Sequence, residues 1–513
     1  MIDRIILFAK TRSERHLLLL LLGMGFIPRL YAVLMAKGIA NDSASYGFMA
    51  RDFLAGDFLK ALSPAFHPLY PYLISLLSPD ATHVEITGRL ISLFFGTFAL
   101  IPLFYLTKEA FGRKEALLIG LFYCFHPSLV TFSGMFLTEA TYWAFLILSV
   151  TFLRAGLRKK KILASLMAPI FLALAYLTRP EGMGYLFVFL VWVATDGGVK
   201  KGWFRKIGVM AGLVLVFFVV SGPYFIYIRQ ETGRWLISKK AIEGQTWLMA
   251  LNKGGRKPAG IKVPEEGAPP KNTFRLTGQV KTFLRFLPST TYHYLRAYHF
   301  TLWLFLLFGL IRVRAKGAGE EWFFASFVLF HILSLATFVP STTRFSVPLV
   351  PLSLFWAALG AFELSRFLEK RGIARPERRV FYLVVLILVV QLAEGAKPER
   401  RHREDQRVVG LWLNQNAPPG ALIMSNSPQE AFYANRPFVW MPPGVTAPGR
   451  RGPSYQDVLT FAREKGVRYI LIDRNSSKFS ADFVNSIPSP EVREIYRYQD
   501  RKGDITLVYE VLK

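Results

Sequence analysis

Apolar residues fall in blocks long enough to cross a bilayer, and the polar residues are gathered between the blocks. A spanning helix needs roughly 20 apolar residues, so the pattern predicts about eleven spans. They lie near residues 17–36, 89–106, 115–132, 137–153, 162–177, 183–195, 207–228, 300–311, 322–339, 346–364 and 380–396. The sixth and eighth are short for a crossing, so each extends into its flanking loop or turns back within the membrane. Two stretches depart from the pattern. Residues 37–88 alternate apolar and polar positions and are cut by Ser63-Pro64 and His67-Pro68, which predicts short amphipathic helices. Beyond Ala396 the composition becomes that of a soluble protein. Strand-like ALIMS at Ala421, VRYILID at Val467 and ITLVYEVL at Ile505 alternate with helical patterns over 404–416 and 454–465. The expected architecture is a mainly α, polytopic membrane domain over residues 1–396, followed by an α/β domain over 397–513 that is long enough to bury a core.

Composition and charge sharpen this picture. With 52% hydrophobic residues, 15% aromatics and a mean hydropathy of +0.31, the 513-residue chain is too apolar for an ordinary soluble protein. A net charge of +28 would suggest nucleic acid if the basic residues formed one soluble face. They sit instead in alternate loops: Lys10, Arg12 and Arg15; Lys108, Arg113 and Lys114; Arg154 and 158–161; Lys200, Lys201, Arg205 and Lys206; Arg312, Arg314 and Lys316; 366–379. By the inside bias of positive charge these loops are cytoplasmic, so the N-terminus is inside, the C-terminal domain outside, and membrane lipid rather than nucleic acid is the expected partner. The loops 37–88 and 229–299 then face outward. The first apolar run exceeds a signal-peptide core and lacks a small-x-small site, so it reads as a retained span. The single cysteine, Cys124, lies inside a span and leaves no disulfide or thiol metal site.

Charged residues that break these rules are the candidates for chemistry. Asp42 follows directly on the first span, where it serves either as a helix cap or as a functional acid. Asp52 and Asp57 read as solvated. Glu139 stands where the third outward turn meets the fourth span; it is either a first-turn acid of that helix or a functional carboxylate. Arg179 in LTRPEG and Arg344 in STTRFSVPLVPL lie outside against the charge bias, which an anionic ligand such as a lipid phosphate would explain; for Arg179 an internal pair with Glu181 is the alternative. In the loop 229–299 a Gly/Pro-rich middle precedes Val280–Leu287, where Lys281 and Arg285 alternate with Phe283, Phe286 and Leu287 as in a helix lying among headgroups. This loop is either a lid over bound lipid or a solvated basic segment.

The pattern Asp42, Tyr46, Ala50, Gly56 and the turn His67-Pro68-Leu69-Tyr70 resembles the first outside loop of polyprenyl-phosphate-sugar glycosyltransferases of the GT-C fold. Family 39 is the nearest group, including protein mannosyltransferases and lipid A aminoarabinose transferases. Arg344-Phe345 with Pro348 and Pro351 resembles a motif that opens a late span in the same superfamily, with Phe345 in place of the commoner tyrosine. Asn41-Asp42 stands where an Asp-Glu pair is often found, so one acid is missing.

The resemblance implies a sugar carried on polyprenyl phosphate and passed to a lipid, glycan or protein acceptor outside the membrane. With it the candidate roles are Asp42 as the base, Glu139 near it to orient the acceptor or tune that carboxylate, Arg179 and Arg344 as phosphate ligands, and His67 to bind donor phosphate or support its loop; Tyr46, Glu181, Lys281 and Arg285 are further site candidates. A divalent cation is left open. No dinucleotide fingerprint and no Asp-x-Asp for a nucleotide sugar are present, which also points to a lipid-linked donor. Two other readings stand beside this one. A lipid or solute transporter would show internal repeats, which are not evident. A non-catalytic scaffold displaying its tail would make Asp42 dispensable.

Overall fold

The computed structural model describes residues 11–159, 162–195, 203–240, 276–312, 319–338, 342–397, 404–441, 455–473, 490–499 and 505–512. The middle of the loop 229–299 lies outside the described residues. Packing divides the chain into two units. The first contains residues up to 35, 49–256 and 264–397.

Within this first unit every expected span falls on a helix. Among the described residues six helices are long and apolar enough to cross a membrane: Glu14–Met35, Val84–Phe111, Glu139–Arg158, Trp203–Thr232, Gly319–Thr337 and Thr343–Lys370. Two bent pairs raise the number to eight, and Leu163–Thr178 and Pro180–Thr195 are shorter apolar helices. Several of the eleven apolar runs fold as short or broken helices, as expected for the sixth and eighth.

Both breaks have a physical cause. Arg113–Phe125 and Pro127–Gly134 meet at 55° because Pro127 has no N–H to continue the ladder. Carbonyls freed at such a break have no water to turn to. Arg29, buried inside the first span, supplies the donors: its Nη1 donates to Cys124 O at 3.0 Å and Gly25 O at 2.9 Å, its Nη2 to Tyr123 O at 3.0 Å, and its Nε to Ser133 Oγ at 3.2 Å. The cation thus caps a helix C-terminus, where the dipole favours it. At the second break Phe283–Tyr298 and Phe300–Arg312 meet at 85°, with His299 between them at φ 71°. The helix Phe300–Arg312 packs closely on Val350–Lys370, since a Cβ at Gly309 would meet Trp356 O at 2.0 Å.

The second unit contains residues 36–48 and 398–513. Its sheet consists of β1 (Ile423–Ser425), β2 (Phe438–Trp440), β3 (Tyr469–Asp473), β4 (Val492–Gln499) and β5 (Ile505–Val511), in the order β2-β1-β3-β5-β4. β1 is parallel to β2 and β3, and β5 is antiparallel to β3 and β4. Alternate residues of the strands feed two cores. Met424, Ile470, Ile472 and Leu507 pack with the helix Tyr455–Glu464. Ile423, Tyr469, Leu471 and Val508 pack with the helices Glu404–Asn416 and Pro428–Ala434. The start of the first loop, residues 36–48, packs within this unit, and 49–88 within the first. Its helix, Asn41–Leu54, begins in the second unit.

Candidate active site

Three turns of the first unit converge on Glu139. The helix Glu139–Lys159 starts at this residue, so its carboxylate stands at a helix N-terminus, where negative charge is favoured. It is fully buried at 0% exposure, which a carboxylate tolerates only when paired. Two arginines provide the pairing. Arg179, at the C-terminal end of the helix Ile162–Thr178, donates from Nη1 to Glu139 Oε1 at 2.8 Å. Arg344, in the short helix Thr343–Ser346, donates from Nε to the same oxygen.

Arg179 also reaches Glu181, its Nη2 to Oε1 at 2.8 Å and its Nε to Oε2 at 3.3 Å. This parallel fork arises because Pro180 opens a 3₁₀ turn, Pro180–Met183, which folds Glu181 back toward the arginine. The guanidinium carbon lies 5.5 Å from the Phe345 ring centre and 5.8 Å from that of Tyr142. Two guanidiniums therefore face two carboxylates, and the cluster closes at zero net charge. Arg179 is 7% exposed and Arg344 is 24% exposed, so Arg344 is the member that faces outward.

Behind Arg344 lies a residue the sequence reading missed. His331, on the helix Gly319–Phe338, has Nε2 3.1 Å from Phe345 O and Nδ1 2.7 Å from Tyr185 Oη. A carbonyl only accepts, so the proton is on Nε2, and in the neutral ring Nδ1 accepts from the Tyr185 hydroxyl. This chain of bonds ties the Arg344 turn to Tyr185, on the helix Gly184–Thr195. An ionisable side chain inside an apolar run was the available signal, and it also marks Arg29.

His67 is placed against the same helix end as Arg179. It is 2% exposed, with its ring 4.9 Å from Tyr176 and 5.0 Å from Tyr224. Burial pushes the imidazole down to about 3, so it is neutral at physiological pH and brings no positive charge to the site. The turn that carries it is pinned by Tyr224 Oη donating to Ser63 O at 2.7 Å and by the Lys239 N–H donating to Pro64 O at 2.9 Å. Lys240 lies over the Phe66 ring at 4.6 Å, another basic residue that sequence reasoning did not single out.

Asp42 is half-buried in the first turn of its helix, whose start is fixed by the Ala40 N–H donating to Ser43 Oγ at 3.1 Å. Tyr46, one turn further on, is buried. Both belong to the second unit. Arg285 is exposed on the helix Leu276–Tyr298, its guanidinium 5.8 Å from the Phe286 ring. Lys281 is on the same helix, and its side chain lies outside the described residues. Among the described residues no group of three or more His, Cys, Asp or Glu is placed to hold a metal ion.

Comparison with known proteins bears on the fold. Residues 63–227, which include His67, Glu139, Arg179 and Glu181, match the Dolichyl-phosphate-mannose-protein mannosyltransferase family. No curated protein matches the chain in sequence. Among solved structures, ArnT from Cupriavidus metallidurans bound to undecaprenyl phosphate is similar with a TM-score of 0.59 at 11% identity, over 97% of this chain and 98% of that one. The Archaeoglobus fulgidus oligosaccharyltransferase in complex with zinc and sulfate is similar with a TM-score of 0.55 at 14% identity, over 94% of this chain and 72% of that one. The oligosaccharyltransferase AglB of the same organism, in complex with an inhibitory peptide and a dolichol-phosphate, gives 0.53 at 12% identity, over 95% and 74%. The chain is a polytopic membrane protein whose fold is similar to that of ArnT and the archaeal oligosaccharyltransferase, and part of it matches a mannosyltransferase family.

Proposed function

We propose that this chain is an inverting glycosyltransferase that moves a sugar from a polyprenyl-phosphate donor to an acceptor hydroxyl at the outer face of a cell membrane. The observation that carries the reading is the buried Glu139 holding two guanidiniums where three turns meet, in a fold similar to that of proteins solved with undecaprenyl phosphate and dolichol-phosphate.

In the proposed reaction the Asp42 carboxylate takes the proton of the acceptor hydroxyl. The acceptor oxygen forms a bond to the anomeric carbon as the bond from that carbon to the phosphate oxygen breaks. Polyprenyl phosphate leaves with the electron pair. One base and one displacement invert the sugar carbon. Arg344, the exposed member of the cluster, meets the charge that grows on the departing phosphate, and Arg179 stands behind it. Glu139 acts on the guanidiniums: it keeps both in place before the phosphate arrives, a role different from the acceptor-orienting one its sequence suggested. His67 supports its turn as a neutral group.

The test is transfer by purified protein from a defined polyprenyl-phosphate sugar to a library of lipid, glycan and hydroxyl-peptide acceptors, read by mass spectrometry. Products without added acceptor, or none with any acceptor, would count against the reading. The divalent cation is tested in the same assay. With guanidiniums meeting the phosphate charge, chelation leaves turnover unchanged, and a loss restored by one metal would bring a cation into the mechanism. The proposed orientation has the N-terminus inside and the C-terminal domain outside; a C-terminal reporter active only in the cytoplasm would reverse it.

A further inference from the structure

The α/β unit contains a helix with an unusual environment. All seven residues of Pro428–Ala434 are buried. One side, Ala431 and Ala434, rests on the sheet core. The other side meets the start of the helix that carries Asp42, through two contacts of different chemistry.

Gln429, at 0% exposure, donates from Nε2 to Asn41 Oδ1, the residue next to Asp42. Phe432 covers Gly47, where a Cβ would come within 2.2 Å of the ring, and lies edge-on to Phe48 with ring centres 6.0 Å apart. A third link, Lys37 to Glu404 at 3.7 Å, ties the preceding strand of chain to the helix Glu404–Asn416. The grip extends from just before Asp42 to more than one helical turn beyond it. A buried amide aimed at a first-turn side chain fixes the rotation of that turn, which apolar packing alone does not. The close approach at Gly47 fixes its depth.

We propose that the C-terminal α/β domain is part of the catalytic apparatus: the helix Pro428–Ala434 sets the position of Asp42, with Gln429 and Phe432 as positioning residues. The inference rests on the reading of Asp42 as the base and extends it by giving the domain a role in the chemical step. A misplacement of a reacting group by about 1 Å costs up to about 100-fold in rate. Loosening this grip therefore lowers kcat while leaving recognition of the donor unchanged.

The experiment uses the full chain in nanodiscs with a defined polyprenyl-phosphate sugar and an acceptor found in the transfer assay. It compares Gln429→Ala, Gly47→Ala, the pair Gly47→Ala with Phe432→Leu, and Asp42→Asn, each normalised to monodisperse folded protein. The expected result is a loss of up to about 100-fold in kcat for Gln429→Ala and Gly47→Ala with donor KM unchanged. The double variant recovers most of the loss, because the smaller side chain makes room for the new methyl group. Where Gly47→Ala does not fold, Gln429→Ala carries the test alone. Wild-type kcat in Gln429→Ala beside an inactive Asp42→Asn would overturn the positioning role and leave the base in place. A fully active Asp42→Asn would overturn both. A purely structural domain would lower the yield of folded protein and leave turnover per folded molecule unchanged, which also refutes the proposal.

Discussion

Replacing Glu139 with Gln changes one charge and almost no shape. Among these four side chains two positive and two negative charges cancel; the substitution leaves two guanidiniums to one carboxylate, a net charge of +1 on the four in a buried setting. Removing one partner of a buried pair costs about 3–5 kcal/mol, because the remaining charge keeps its desolvation penalty. Arg179 retains its fork to Glu181, and Arg344 at 24% exposure can turn toward water, so the lower end of that range applies, about 3 kcal/mol. Glu181→Gln is the control. It leaves Glu139 bound to both guanidiniums and costs less. The measurement is thermal unfolding of the purified protein in detergent, with and without polyprenyl phosphate. Glu139→Gln lowers the midpoint more than Glu181→Gln, and added polyprenyl phosphate raises it by more than in the native protein, since the phosphate no longer competes with a carboxylate for the arginines. A midpoint equal to the native one would mean that the cluster does not hold these turns together. A smaller response to polyprenyl phosphate would mean that Glu139 does not compete with the ligand.

Three further outcomes follow from the same geometry. Arg344→Ala raises donor KM, lowers kcat and costs some stability by leaving the buried Glu139 with one fewer guanidinium, and Arg344→Lys recovers only part because an ammonium lacks the planar fork; Arg179→Ala loses more stability because its guanidinium is buried between two carboxylates, and donor kinetics unchanged in both would remove them from the site. The folded-state value of His67 lies below its unfolded one, so as pH drops below about 6.5 the unfolded chain takes up a proton that the buried ring does not, and stability falls by about 1.4 kcal/mol per pH unit. His67→Gln removes that slope between about pH 6 and 4, and an unchanged slope in unfolding measurements would refute the burial argument. Arg29→Met strands the Tyr123 and Cys124 carbonyls at a cost of about 2–5 kcal/mol, seen as reduced thermal stability, whereas native-like unfolding would show that other groups satisfy them.

The membrane part was legible because lipid permits few solutions: a chain that crosses it must use long apolar helices, and these leave their mark in the sequence. The short helices of the first loop were readable from Ser63-Pro64 and His67-Pro68, and the helix 404–416 from its spacing. The strand β2 has only three residues, and β4 alternates Arg, Glu and Tyr as an edge strand does, so neither stands out from a loop. Glu139, Arg179 and Arg344 were visible one by one, since each is a charge that an apolar neighbourhood must answer for. Their pairing was not, because Glu139 and Arg344 are 205 residues apart in the chain. For Arg179 the sequence offered two partners, an anion or the neighbouring Glu181, and the structure places it on Glu181 and on Glu139 as well. Arg29 and His331 were overlooked although the rule that selected Glu139 applies to both. The start of the first loop packs in the α/β unit through Gln429 and Phe432 among others, which no local pattern ties to Asn41 and Gly47.

The central claim, that Asp42 is the base of a sugar transfer, is tested most directly by the turnover of Asp42→Asn with a defined polyprenyl-phosphate sugar and a fixed acceptor. Asparagine keeps the shape and cannot take the proton, so the account predicts a loss of about 10²- to 10⁴-fold with donor binding intact, while Asp52→Asn and Asp57→Asn keep most of their activity. Near-native turnover by Asp42→Asn would contradict the account and move the search for the base to Glu139.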